Sequence, residues 1–278
     1  MVKITEYFYK ILENIVDNYK KEKSGRNKCG RKPTKDTKHY AKAIMKILST
    51  GCQWNSLNDE LHYSVYHKKY LEWNNNGLIQ KFYNLLILIN VKLYKMTGNY
   101  YIDSAIIRNM QGINDVSYNY KIKSKKGTKV SILVDSKGIP VSIHCVAANY
   151  SDVSLVLPNY QKIDDSIKKN IKNIICDAGY VSIKLKNKFK NEENINYIYP
   201  DKKNMLEKNK NTAADKKLIK TRNINEHSFS WMTQYRRLTA RFEKYTNNFI
   251  GFITLAFCNI IINKLIKIPS HDNLFKLV

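Results

Sequence analysis

The chain has 278 residues, 43% of them hydrophobic, which supplies apolar material for one large domain or two smaller ones and excludes global disorder. Its 48 Lys and Arg against 23 Asp and Glu leave a formal charge of +25, which disfavours cationic partners and points to a polyanion, either nucleic acid or an anionic membrane surface. A codon bias that enriches Lys, Asn, Ile and Tyr together contributes to that excess.

Residues 2–20 place Ile4, Phe8, Ile11, Leu12, Ile15 and Val16 at helical spacing. The run "KKEKSGRNKCGRKPTK" then breaks the pattern with glycines, a proline and many cations, and reads as a basic loop carrying Arg31. Helical patterns return at about 36–49, 54–60, 62–73 and 77–95, with a glycine-containing break at "STGCQW" between the first two. Several short helices behind a basic loop fit a DNA reader of the helix-turn-helix kind and fit a plain helical packing domain equally well. The expected first domain is therefore α-helical and covers 1–97.

After Gly98 the pattern changes. "YYID" is strand-like, "TKVSILVDSKGIPVSIHCVAANY" reads as strand, turn, strand, and "SDVSLVLPNYQKI" reads as a helix capped by Ser151 or Asp152. "IKNIICDAGY" holds a buried strand ending at Asp177, "SIKLKNKFK" a helix, and "INYIYP" a strand stopped by Pro200. A Lys-rich connection spans 201–222, and a long helical pattern follows to about residue 267. This order implies a mixed α/β domain over 98–268, a sheet with helices packed against it, and a tail at 269–278. The most apolar run, Phe249–Ile262, falls short of the ~20 residues that cross a bilayer and reads as a buried helix. The five cysteines are odd in number and scattered without a C-x-x-C, which argues against a disulfide framework or zinc site and suits a reducing compartment.

Two carboxylates follow apolar strands: Asp103 in "YYIDSAIIRN" and Asp177 in "NIICDAGYVS". If their strands are neighbours, both emerge at one rim of the sheet, where sheet proteins gather functional groups. Carboxylates that close repel unless they share a proton or a divalent cation, and hard oxygen ligands suit Mg²⁺. Asp after a strand also serves as a helix cap or turn residue. Capping alone accounts for Asp177 as well as catalysis does, while Asp135 reads as a turn residue and Asp152 as a cap.

"YIDSAIIRN", "KVSILVDSKGIPVSIHCVAANYSD", "ICDAGY" and "NEHSFSWMTQYRRLTARFEKYTNNFIGFITLA", in this order, resemble a bacterial insertion-sequence transposase of the DDE class. "GRKPTKDTKHYAKAIMKILSTGCQWNSL" resembles the helical N-terminal domain of the same transposases, so the likeness covers roughly residues 28–262. It implies an RNase H-like catalytic domain whose first strand carries Asp103, whose fourth carries Asp177, and whose later helix carries a glutamate. It further implies two Mg²⁺ or Mn²⁺ ions held by these three carboxylates, cleavage at the element's ends and transfer of the freed 3′-OH into target DNA. The implied partners are the terminal inverted repeats, target DNA and a second copy in a synaptic dimer, with no membrane. The implied setting is cytoplasmic at the bacterial nucleoid, or the nucleus of a eukaryotic host.

Glu226 and Glu243 compete for the third place. On one continuous helix, seventeen positions would separate them by ~25 Å, so one site could not use both. The family pattern places its glutamate upstream of "Y-R-R-L", where "NEHSFSW" puts Glu226, with Arg222 one turn earlier. Glu243 then reads as half of a surface ion pair. The chain departs from the pattern at Ile219, His227 and Thr233, positions that in the family help to bind the DNA terminus. Arg237, Arg241 and Lys244 follow an i, i+4, i+7 stripe and, with Arg222, Arg236, Lys125, Lys126 and Arg31, are the candidate phosphate contacts. Two other readings stay open: a DNA-binding descendant without catalysis, and a different RNase H-like endonuclease.

Overall fold

The structure is a computed structural model that describes residues 2–24, 35–94, 97–123, 125–201 and 210–267. It divides into two compact units, one formed by Met1–Leu93 with Met232–Val278 and the other by Tyr94–Trp231.

The first unit is helical: α1 (Glu6–Ser24), α2 (Thr37–Thr50), α3 (Tyr63–Asn75), α4 (Leu78–Leu93) and α10 (Thr246–Leu265). Asp36 caps α2 by accepting from His39 N at 2.7 Å, and Gly51 ends it in the left-handed conformation that an L side chain resists. The centre of the unit is α10, which packs on α4, α1 and α3. It is long and apolar enough to cross a membrane by length and composition, exceeding the shorter run expected from sequence. Phe249, Phe252, Ile253, Phe257 and Ile261 are all fully buried against protein, as a core helix requires. Tyr70 of α3 stacks on Phe252 at 4.3 Å between ring centroids and donates its hydroxyl to Asn248 O.

No single helix runs from 225 to 267. The chain forms α9 (Ile224–Thr233), a 3-10 turn at Arg236–Leu238 and a two-residue strand β7 (Ala240–Arg241) before α10 begins. The turn packs on α2 because Gly51 has no side chain: a Cβ there would lie 3.0 Å from Arg236 Cβ and 3.1 Å from its carbonyl carbon. Thus the "TGCQW" and "YRRL" segments, far apart in sequence, meet in one unit. The sequence reading placed everything from 98 to 268 in the second domain; in space, the part after Trp231 folds with the helices of the first unit.

The second unit contains β1 (Asn99–Asn109), β2 (Ser117–Asn119), β3 (Lys125–Val134), β4 (Pro140–Ala147), α5 (Val156–Gln161), α6 (Asp165–Lys168), β5 (Asn173–Ile175), α7 (Ile183–Glu192), β6 (Asn196–Ile198) and α8 (Ala213–Lys220). Antiparallel β4–β3–β1 continues into parallel β1–β5–β6, and β2 extends the β3 edge beside β4. This mixed sheet with flanking helices is the α/β class expected from the sequence. The hairpin closes at Asp135, whose carboxylate accepts from Lys137 N at 2.8 Å and Ile139 N at 2.9 Å, so its turn role holds. The Lys-rich connection is not wholly irregular: Thr212 and Asp215 form a reciprocal capping box that starts α8.

Candidate active site

Strand β1 is longer than the "YYID" stretch, and Asp103 lies in its interior opposite Ile132 of β3. On its other side, β1 runs parallel to β5 with Tyr101 opposite Ile175. The pairing ends there, two residues before both Asp103 and Asp177, and the negative charge of Asp177 is felt at the Asp103 carboxyl. β5 ends at Ile175 because the chain turns at Asp177, whose carboxylate accepts from Ala178 N at 2.6 Å and caps a 3-10 turn. Capping and a place at the sheet rim are therefore combined in one residue.

Burial pushes the Asp103 carboxyl up to about 6, and the negative charges of Asp177 and Asp152 push the same way. The Ser104 N–H, donated to Asp103 Oδ1 at 2.7 Å, and the Arg222 guanidinium oppose them. Arg222 Nη1 pairs with Asp177 Oδ1, both side chains being about half exposed. It is brought there by the turn after α8, where Thr221 Oγ1 lies 2.8 Å from the Tyr101 hydroxyl. The expected role for Arg222, at a phosphate or beside Glu226, is thus taken in this state by Asp177.

Glu226 stands in the first turn of α9, exposed, its carboxylate making no hydrogen bond or ion pair among the described residues. Its helix is fastened to the hairpin turn: Ser228 Oγ donates to Gly138 O at 2.8 Å. A Cβ at Gly138 would lie 3.0 Å from that oxygen and 3.2 Å from the Trp231 ring. Ser228 faces the hairpin, and Glu226, two residues earlier on α9, projects to the other side of the helix.

Asp152 corrects the sequence reading. Its side chain caps no helix. Instead Asp152 Oδ1 accepts from Ser104 Oγ at 2.7 Å and from Lys129 Nζ at 2.7 Å. A single-residue pattern that looked like a cap gave no sign of this, since both partners are distant in sequence.

The expected phosphate stripe is also corrected. Arg237, Arg241 and Lys244 share no helix. Arg237 is buried, its Nε 2.7 Å from Glu243 Oε1 and its Nη1 donating to Cys52 O at 3.2 Å. Arg241 is fully buried and donates to Glu243 O and Lys244 O, each at 3.0 Å. Glu243 is itself buried, so its ion pair is not at the surface; burial raises its carboxyl and Arg237 opposes that rise. Arg236, Lys244, Lys125 and Lys126 are exposed, and Arg236 lines a cleft of about 580 Å³ with Ser49, Thr50 and Gln234. Arg31 lies outside the described residues. In the helical unit His39, Asp59 and Glu60 gather, but Lys35 pairs with Glu60 and the Tyr66 hydroxyl lies 2.8 Å from His39 Nε2.

Residues 100–261, more than half of the chain, match the family described as the transposase DDE domain. The chain belongs to the DDE transposases. A cryo-EM structure of the piggyBac transposase synaptic complex with hairpin DNA aligns over 98% of this chain and 77% of its own, with 14% identity and a TM-score of 0.49. No curated protein sequence gives a significant match. DDE transposases generally use divalent metal ions. The donor set here fits such ions: two neighbouring carboxylates, one driven toward its neutral form by burial, with a guanidinium supplying positive charge to the other.

Proposed function

We propose that this transposase cuts DNA at the ends of its element and joins the freed 3′-OH to target DNA, with Asp103, Asp177 and Glu226 as catalytic residues. The observation that supports the reading is the electrostatic coupling of Asp103 to Asp177 past the end of the β1–β5 pairing, with Arg222 paired to Asp177. These three carboxylates would hold Mg²⁺ or Mn²⁺, two ions per site on the family pattern. When bound, such ions stabilise both the attacking and the leaving oxygen of an in-line displacement at phosphorus.

The chain's own groups prepare that chemistry. Arg222 pairs with Asp177, and its half-exposed guanidinium would be free to meet a phosphate oxygen if a cation took its place on that carboxylate. The hairpin anchor at Gly138 holds the glutamate helix. Exposed Arg236, Lys244, Lys125 and Lys126 grip phosphates without reading bases. Water attacks in cleavage and the DNA 3′-OH in joining; in each, one P–O bond forms as another breaks. The partners are the element's inverted repeats and target DNA, engaged by a dimer.

The test uses DNA carrying the inverted repeats that flank the gene, incubated with purified protein and Mg²⁺. Wild type is expected to cleave, and Asp103→Ala, Asp177→Ala and Glu226→Ala to fall to the metal-free background. Wild-type cleavage by Asp103→Ala or Asp177→Ala sinks the mechanism. Salt-sensitive binding with no nicking by wild type points instead to a non-catalytic descendant, the reading that Ile219, His227 and Thr233 favour.

A further inference from the structure

The two candidate metal-binding aspartates sit on separate pieces of chain, β1 and the loop after β5. Both pieces approach one partly buried ion pair, Lys129–Asp152. Asp152 accepts from the hydroxyl of Ser104, the residue next to Asp103, at 2.7 Å. Its second oxygen, Oδ2, would lie 3.3 Å from a Cβ placed on Gly179, two residues after Asp177, so that loop sits close against Asp152 and a side chain at 179 would press on its carboxylate. Lys129 of β3 supplies the counter-charge from a side chain that is 6% exposed, and its ammonium also donates to Tyr150 O at 2.6 Å.

Side chains alternate faces along a strand, so Ser104 and Asp152 lie on the face of β1 opposite the Asp103 carboxylate. A polar spine runs beneath the same strand. Ser131 Oγ lies 3.4 Å from Asp103 O and accepts from Asn159 Nδ2 at 2.9 Å, while Asn159 Oδ1 accepts from Ser142 Oγ at 3.1 Å. Asn159 is fully buried, and this network satisfies its side chain. A sheet whose function needed only shape could fill these positions with aliphatic side chains at lower desolvation cost.

We infer that Asp152, paired to Lys129, is a positioning residue: it holds Ser104 on β1 and abuts Gly179, fixing the spacing at which Asp103 and Asp177 meet a divalent cation. The inference rests on the reading of Asp103 and Asp177 as metal ligands. A hydrogen-bonded group behind a ligand typically changes metal affinity by 10- to 100-fold.

Mn²⁺ binding to the full-length protein, followed by the loss of the free-ion electron paramagnetic resonance signal without DNA, tests it alongside thermal unfolding. Asp103→Asn reports on the underlying reading; if it binds Mn²⁺ like wild type, the ligand assignment fails whatever Asp152 does. Where Asp103→Asn abolishes binding, Ser104→Ala is expected to weaken Mn²⁺ about 10-fold and Asp152→Asn about 100-fold, measured below their melting temperatures. Asp152→Asn leaves Lys129 buried without its partner, so Ser104→Ala, which keeps the ion pair, decides the matter if the other does not fold. Folded Ser104→Ala that binds Mn²⁺ within about twofold of wild type overturns the inference.

Discussion

Arg222 and Arg237 each pair with a carboxylate, yet the two pairs do opposite work. Arg222 and Asp177 are half exposed at the sheet rim, where water screens their attraction and either partner can exchange. Arg237 and Glu243 are almost wholly buried, and Arg237 also satisfies Cys52 O. A buried pair holds its neighbours in place because losing one partner strands the other's charge. Burial, and not residue type, separates a replaceable counter-charge from a structural joint.

Breaking the buried joint carries the largest expected effect. Arg237→Ala leaves Glu243 as an uncompensated buried carboxylate and should cost about 3–5 kcal/mol of unfolding free energy, read from urea denaturation. A cost below about 1 kcal/mol would erase the distinction between the two regions.

The pH dependence of the metal-free protein sharpens the contrast at an intermediate size. The Asp103 carboxyl is raised to about 6 in the folded state, chiefly by burial, against about 3.9 when unfolded. The folded state therefore binds this proton more tightly. The stabilisation is fully present below about pH 4 and is lost as pH rises through about 6, amounting to roughly 3 kcal/mol. Asp103→Asn should flatten the stability profile across that window relative to wild type, as chemical denaturation at stepped pH would record. Parallel profiles for the two proteins would contradict the burial of Asp103.

Arg222→Ala should have the smallest effect on folding, within about 1 kcal/mol, because an exposed pair contributes little. The same denaturation series checks it, and a loss comparable to that of Arg237→Ala would make Arg222 a structural residue.

How legible the molecule was depends on the range of the interactions concerned. The helices expected near 36–49, 62–73 and 77–95 and the hairpin turn at Asp135 rest on local periodicity and turn chemistry, and they stand in the structure; the helix expected at 54–60 is only a 3-10 turn at Trp54–Ser56, and the unexpected strand β2 makes the strand before Asp177 the fifth instead of the fourth. The continuous helix from 225 to 267 does not form. Its apolar spacing persists through a segment that breaks at Arg236–Leu238, where the chain packs against the α2 terminus at Gly51. The geometric argument that separated Glu226 from Glu243 assumed that helix. The two glutamates are in fact divided by environment: Glu226 is exposed at the start of α9, and Glu243 is buried against Arg237.

The sequence by itself determined the mixed α/β class of fold, the family and the hairpin turn at Asp135, because periodicity, turn residues and motif order are properties of neighbouring positions. Only the tertiary structure decided which cations are free. Arg237 and Arg241 look like surface cations in a basic run, yet they are buried by contacts that no local pattern records. It also turned Asp152 from a cap into a partner of Ser104 and Lys129. Those bonds join residues 23 to 48 positions apart, and chain closure over such distances is fixed by packing of the whole sheet.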